Sequence, residues 1–451
     1  MLTGLARDGG LYVPDKWPRL APPEIAALSG LSYAESACRI MKPFLGSDIP
    51  DDEFKEMVEA AYATFSHSAV APLVEIGPNQ WLLELFHGPT CAFKDVAMQL
   101  LARVMDRALK RRNARATIVG ATSGDTGGAA IEAFAGRESI EIFILHPHGR
   151  VSDVQRRQMT TCQAENVHNI AIEGTFDDCQ ALVKALFNDL ERRDRLALAG
   201  VNSINWARIM AQSVYYFTSA VALGAPERAI SFCVPTGNFG DVFAGYVASC
   251  MGLPIGRLVI ATNTNDILAR TLETGRYEPN EVIATSSPSM DIQVSSNFER
   301  LIFEAAGRSG ERVRGVMTDL ADSNGFTLSE DELTAIRALF SAQAIDEEEV
   351  KRTIKDVAEE TGYVCDPHTA VGLAAARRTA RPDEPMVTLA TAHPAKFPDA
   401  VGEAIGKRPD MPSALEGRLG ADEHFEVLEN DYAALTDFIE SRARAIQEPA
   451  T

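Results

Sequence analysis

The sequence predicts an α/β protein with two doubly wound lobes around one cleft, a helical N-terminal domain and a C-terminal helical extension. Two observations carry the prediction. From Trp81 onward, short β-branched runs alternate with helical patterns, the texture of parallel sheets covered by helices. Four glycine- or proline-marked segments directly follow such runs, at the carboxyl ends of expected strands, where open α/β sheets hold ligands.

Taken in order, residues 1–78 read as helices joined by proline-containing loops. Pro22-Pro23-Glu24 and Ile49-Pro50-Asp51-Asp52-Glu53 place acidic side chains at helix starts, where the helix dipole favours them. Residues 79–400 form the core, with a first lobe over about 79–205 and a second over about 206–400. The first lobe's strands are expected at Ala116 to Val119, Glu141 to Leu145 and Asn169 to Ile172. A long helix from Trp206 leads into strands at Ala229 to Val234, Leu258 to Thr262 and Met386 to Thr391. Helix starts are legible at Ser152-Asp153, at Ser329 with Glu332 in capping-box spacing, and at Asp366-Pro367, a cap before a first-turn proline. Thr264 to Gln293, rich in Thr, Asn, Ser and Pro, reads as an insertion at the cleft rim. Residues 401–451 form an extension ending in an amphipathic helix near Tyr432 to Ile446.

The chain has 451 residues, for which a length prior gives roughly two to four domains. A formal charge of −20 argues against broad binding to nucleic acid or anionic membrane, so an anionic small molecule needs a local positive pocket. No apolar run reaches the roughly 18 residues of a spanning helix. Met1 to Gly10 lacks the basic start and apolar stretch of a secretory signal. Seven cysteines without a C-x-x-C pair point to reduced thiols in the cytoplasm, and eight scattered histidines without H-E-x-x-H disfavour a metal centre.

The first of the four segments is His87 to Asp95, containing Lys94 ahead of the apolar run Val96 to Leu101. A Schiff-base lysine needs partial desolvation and access to an aldehyde. Read alone, Lys94 fits a surface lysine at a helix start paired with Asp95 better than a catalytic one. The second segment, Val234 to Asp241, sets Gly237 and Gly240 between strand and helix, where N–H groups converge on a phosphate, though an ordinary βα turn has the same pattern. It lacks both the P-loop lysine and G-x-G-x-x-G. The third, Gly120 to Gly128, offers Ser123, Thr126 and free amides to a carboxylate, against simple capping by Thr122, Ser123 or Asp125. Gly127 and Gly128 lower helix propensity there, a cost that close approach of a ligand explains. In the fourth, Ala390 to Phe397, the Thr391 hydroxyl is a neutral partner for an unprotonated pyridine nitrogen. A lysine anchor together with a phosphate cradle points to pyridoxal 5′-phosphate.

These segments occur in the order found in a known family. Together with Gly4 to Pro14, Asn202 to Arg208, Ala261-Thr262-Asn263, Asn265-Asp266 and Ser287 to Asp291, they make the chain resemble threonine synthase over nearly its whole length. The resemblance is to the long bacterial and fungal form, of fold type II like the tryptophan synthase β subunit. It implies that Lys94 links covalently to the cofactor and acts as the proton-transfer base. It further implies that Gly237, Asn238, Phe239, Gly240 and Asp241 surround the cofactor phosphate and that Thr391 faces the ring nitrogen. The implied reaction converts O-phospho-L-homoserine and water to L-threonine and phosphate.

Ser123, Gly124, Asp125 and Thr126 are the expected substrate grip, assisted by Asn205 and Arg208. The guanidinium of Arg208 suits a phosphate and is equally suited to an ion pair with a carboxylate. His87 and His393 flank the site as proton shuttles or turn-stabilising partners. Family members of this form usually carry an opening segment before Gly4, which leaves edge pairing of the N-terminal domain open. Motifs alone do not separate a synthase from a related phospho-lyase acting on an aminoalkyl phosphate, or from a non-catalytic cofactor-binding protein. They leave open whether the protein is a monomer or a homodimer.

Overall fold

A computed structural model describes residues 4–445. Its core consists of two sheets. One lobe holds β1 (Leu73–Gly77) and β2 (Gln80–Glu84), whereas the other begins at β3 (Ala116–Ala121) and continues with β4 (Ile140–Pro147), β5 (Val167–Glu173) and the short β6 (Leu198–Ala199). The chain then returns to the first sheet with β7 (Ile230–Pro235) and β8 (Ile255–Thr262). β9 (Arg276–Tyr277) and β10 (Phe326–Thr327) form a small ribbon, followed by β11 (Phe340–Ala344), β12 (Met386–Ala390) and β13 (Glu426–Glu429).

The six-stranded sheet runs β1-β2-β12-β7-β8-β11 and is parallel except for the β1–β2 hairpin. The five-stranded sheet runs β13-β5-β4-β3-β6 and is wholly parallel. Helices cover both, so the central strands are apolar on both faces: every residue of β4, β7 and β12 is buried. Two details depart from the sequence reading. β2 lies in the range expected for the first lobe yet pairs with β12 of the second lobe's sheet. The C-terminal extension supplies an edge strand, β13, beside β5, in addition to helices.

The expected caps are present. Ser152 accepts from the Gln155 amide, Ser329 and Glu332 close a capping box, and Asp366 accepts from the amides of His368 and Thr369. The terminal helix spans Tyr432–Glu440; Ile446, where the sequence reading ended it, lies outside the described residues. The N-terminal helices Tyr33–Leu45 and Asp51–Tyr62 bury Ile40, Met41, Phe54 and Val58 against the helices Lys94–Arg111 and Trp206–Ala222, sharing one core with the six-stranded sheet. Helix Trp206–Ala222 is buried along nearly its whole length and forms the floor of that lobe.

Thr264 to Gln293, expected as an insertion at the cleft rim, has internal structure of its own. It contains the helix Ile267–Thr274, and its second half folds back over the end of β8. Asn263 Nδ2 lies within 2.9 Å of Thr285 Oγ1, Ser287 Oγ and Asp291 Oδ1, and Asn265 Nδ2 donates to the Ile283 carbonyl. This polar knot carries Ser289 into the cleft.

Candidate active site

Lys94 is the first residue of the helix Lys94–Arg111 and is only 6% exposed. The preceding loop is held to the end of β12: Phe93 N–H donates to the Thr391 carbonyl (2.8 Å), and His393 N–H donates to the Cys91 carbonyl (3.1 Å). The reading of Lys94 as a surface lysine paired with Asp95 fails on geometry. The Asp95 carboxylate is buried and turned back onto Thr90, accepting from its N–H (2.8 Å) and its hydroxyl (2.7 Å). Gly88 is required for that turn, since a Cβ there would lie 2.4 Å from Asp95 Cβ. Lys94 Nζ instead lies 3.4 Å from both Asp125 Oδ2 and Ser289 Oγ, and over the Phe93 ring at 4.7 Å. Burial lowers its pKa and the repulsion of Lys396 and Arg208 adds to that, against the attraction of Asp125.

The glycine loop follows β7. Phe239 takes a left-handed conformation (φ 64°) to turn the chain into the helix Gly240–Cys250, while its ring packs against Phe298 and Phe340. Gly237 cannot carry a side chain without conflict: a Cβ would lie 2.7 Å from the Ser289 carbonyl oxygen. The loop's carbonyls are occupied from one side. Ser295 Oγ donates to the Gly237 carbonyl (2.7 Å) and Asn297 Nδ2 to that of Asn238 (2.8 Å). Its N–H groups, at the positive end of a helix, remain as donors for an anion.

The Asp241 side chain is turned away from that anion position. Its carboxylate accepts from the hydroxyls of Tyr215 and Tyr216 beneath the loop, and burial raises its pKa to about 6. Asp241 therefore fits a phosphate through its N–H rather than its side chain. Arg208, also buried, donates to the Val201 carbonyl (3.3 Å), while its Nε has no hydrogen-bond partner among the described residues. Its electrostatic neighbours are Tyr215, Asp241 and Lys94, and burial lowers its pKa to about 10. Its interaction with Asp241 sets its charge near the glycine loop, in addition to the substrate-assisting role expected from sequence. Asn205 likewise has local work: its Oδ1 caps the following helix by accepting from the Ala207 N–H (3.0 Å).

In the third segment the cap is Thr122, whose Oγ1 accepts from the amides of Gly124 and Gly127 (2.9 Å each). Packing is enough to require glycine at 127 and 124, without appeal to a ligand, whereas a Cβ at Gly128 would meet only ordinary contacts, with Gln158 Cβ at 3.8 Å. A Cβ at Gly127 would lie 2.4 Å from Thr122 Cγ2, and one at Gly124 would lie 2.5 Å from Gln155 Cδ. Asp125 is buried at the helix start. Desolvation raises its pKa, but Lys396, Lys94 and His368 outweigh that and hold it well below the usual carboxylate range.

Thr391, at the end of β12, is buried. Of the two histidines, His87 Nε2 pairs with Glu84 Oε2 (2.7 Å), and His393 Nδ1 accepts from the Ala395 N–H (3.2 Å), stabilising its turn. The sequence reading gave no site role to Ser289, Lys396, Gln155 or His368. Gln155 Nε2 donates to Asp125 Oδ1 (2.9 Å). His368 is held by Asp366 (2.7 Å) and accepts from the Ser289 N–H (3.4 Å).

A buried lysine, an anion cradle, a guanidinium with an unpartnered Nε and a neutral hydroxyl fit pyridoxal phosphate. The fold and this set define a pyridoxal-phosphate-dependent enzyme of fold type II. A family model described as "Pyridoxal-phosphate dependent enzyme" matches residues 69–321, and models for the threonine synthase N terminus and C-terminal region match residues 1–62 and 369–439. The threonine synthase of Pseudomonas aeruginosa is 52% identical, over 97% of this chain and 94% of its own. The pyridoxal-phosphate-bound threonine synthase structure from Brucella melitensis is 60% identical, with a TM-score of 0.96, covering 98% of this chain and 95% of its own. The Escherichia coli structure is 34% identical, with a TM-score of 0.82, covering 97% and 95%. The chain belongs to the threonine synthase family. It is a pyridoxal-phosphate-dependent lyase of threonine biosynthesis.

Proposed function

We propose that the enzyme acts on O-phospho-L-homoserine with Lys94 as both cofactor anchor and proton-transfer base. The observation that carries this reading is the position of Lys94 Nζ, buried and 3.4 Å from both Asp125 and Ser289. The N–H groups of Gly237 to Asp241, with Arg208 beneath, hold the cofactor phosphate, and the Thr391 hydroxyl faces the ring nitrogen. Ser123, Gly124 and Thr126, at the start of the helix Asp125–Phe134, receive the substrate carboxylate. Asp125 is engaged by Lys396, Gln155 and Lys94 rather than by the substrate, since one carboxylate repels another.

When bound, pyridoxal phosphate supplies the electron sink that makes the substrate's Cα and Cβ protons removable. Lys94 Nζ takes the proton at Cα, then one at Cβ, and returns protons after phosphate leaves Cγ and water adds at Cβ. Ser289 Oγ, on the segment that also bounds Gly237, steadies the amine between transfers. On this reading residues 79–400 carry the chemistry, and residues 1–78 and 401–451 buttress it.

We place the enzyme in the cytoplasm. The seven cysteines are free, and among the described residues no helix is long and apolar enough to cross a membrane.

Incubation with O-phosphohomoserine decides the substrate: threonine and phosphate in equal amounts are expected, whereas phosphate with 2-oxobutyrate and no threonine identifies a phospho-lyase. Lys94→Ala is expected to lose the covalently held cofactor's visible absorbance. An unchanged spectrum refutes the anchor.

A further inference from the structure

Lys396 is a second lysine in the centre of the site, and it is fully buried. Its ammonium meets Thr90 O at 2.8 Å, Asp125 Oδ1 at 2.9 Å and Gln158 Oε1 at 2.9 Å. An ammonium has three donors. All three are used, so Lys396 has none left for a substrate or phosphate, and its role lies in what it holds. The acceptors come from the loop before Lys94, the start of the helix Asp125–Phe134 and the helix Asp153–Thr160, while Lys396 itself follows β12. It therefore ties the two lobes together.

The charges around Lys94 are unequal. Facing it are Asp125, Lys396, Arg208 and Asp241, and Asp125 is the carboxylate in contact. The shorter bonds of Asp125 go to Lys396 and Gln155, both 2.9 Å, whereas Lys94 stands at 3.4 Å, the long edge of a hydrogen bond. Asp125 also feels His368, and Lys396 is neighboured by Cys91, Asp95 and His393.

We propose that Lys396 is a positioning residue that takes Asp125 as its counter-ion, leaving the Lys94 amine beside that carboxylate as a free base. The inference rests on the assignment of Lys94 as cofactor anchor. Only the free amine adds to an aldehyde, its lone pair forming the C–N bond while the oxygen departs as water. Without Lys396, Asp125 keeps Lys94 as its one contacting cation, and a buried carboxylate with one partner holds that partner's proton. The direction of the shift on Lys94, downward, agrees.

The test uses the full-length protein freed of cofactor. The rate of capture of added pyridoxal phosphate is followed by visible absorbance across pH, and borohydride reduction with peptide mapping identifies the labelled lysine. The inflection of rate against pH reports the Lys94 amine. In Lys396→Met it is expected to move up by at least about one pH unit, slowing capture near neutral pH by about tenfold. The double variant Lys396→Met/Asp125→Asn is expected to restore capture, and Lys396→Arg to resemble the parent.

An unmoved inflection in folded Lys396→Met overturns the proposal. So does a double variant as slow as the single. Where Lys396→Met does not fold by circular dichroism, the double variant, which leaves no orphan carboxylate, gives the decision. Label on Lys94 with an unmoved inflection refutes only the role of Lys396; label on another lysine refutes the anchor itself.

Discussion

Gly237→Ala tests whether the glycine loop and the Ser289 segment form one cradle. The backbone at Gly237 is not among the positive-φ positions, so alanine brings no torsional penalty. It brings a collision: the new Cβ lies 2.7 Å from the Ser289 carbonyl oxygen and 3.2 Å from Met290 Cα. Ordinary C···O approach is about 3.3 Å, so one backbone must yield by about 0.6 Å. The loop does not swing away freely, because Ser295 and Asn297 hold the Gly237 and Asn238 carbonyls. The Ser289 peptide moves instead, and its hydroxyl leaves Lys94. Overpacking of this kind costs about 1–3 kcal/mol. Expressed in binding, that is about 5- to 150-fold weaker retention of pyridoxal phosphate. Equilibrium dialysis of the variant, with absorbance for bound cofactor and thermal unfolding as a control, measures it. A variant with parental affinity and unaltered unfolding shows that the two segments do not seat the cofactor jointly.

Three further outcomes are expected. Arg208→Met, which keeps volume but removes the guanidinium beneath the loop, should weaken pyridoxal phosphate binding more than pyridoxal binding, as competition titrations will show; equal weakening contradicts a phosphate role. Asp95→Ala leaves the buried Thr90 N–H without its acceptor and should lower the urea midpoint, by about 1–3 kcal/mol in stability.

The pH expectation concerns Asp241, whose folded pKa of about 6 stands above the ordinary 3.8. Its raised value means the folded state binds the proton more tightly. Stability is therefore greatest below the ordinary pKa and falls as pH rises to about 6. Asp241→Asn should thus gain stability relative to the parent across that window, by at most about 3 kcal/mol, and hold the gain above it. A stability difference that is flat with pH refutes the assignment.

Much of the fold is legible because local rules and tertiary structure agree. Ser152, Ser329 with Glu332 and Asp366 cap helices as their sequences require, and the apolar runs of β4, β7 and β12 are buried strands. What escaped depends on distant partners. Glu426–Glu429 has no apolar alternation, since it is a mostly exposed edge strand recruited by β5. Nothing within residues 80–84 says which sheet they join; the pairing with β12 does. The polar texture of Thr264 to Gln293 suggests a solvated loop, yet its side chains bond to Asn263 and Asn265 and turn inward. At the site, Lys94, the glycine loop and Thr391 stand out by their order in the chain. Lys396 does not, because a lysine next to Phe397 looks the same whether its amine meets water or three buried acceptors. Asp95 misleads by adjacency, since its carboxylate bonds to Thr90 and not to Lys94.

The pairing of β2 with β12 also divides the labour of the cleft. The Lys94 loop follows β2, Thr391 follows β12 and the glycine loop follows β7, three adjacent strands of one sheet. The Ser123 to Thr126 turn follows β3 in the other sheet. The proposed cofactor seats thus share one sheet and the proposed carboxylate grip belongs to the other, so a shift of one sheet against the other would change the grip without separating the seats from one another. The Asp125–Lys396 pair bridges the two sheets, so any such shift would have to strain or break it.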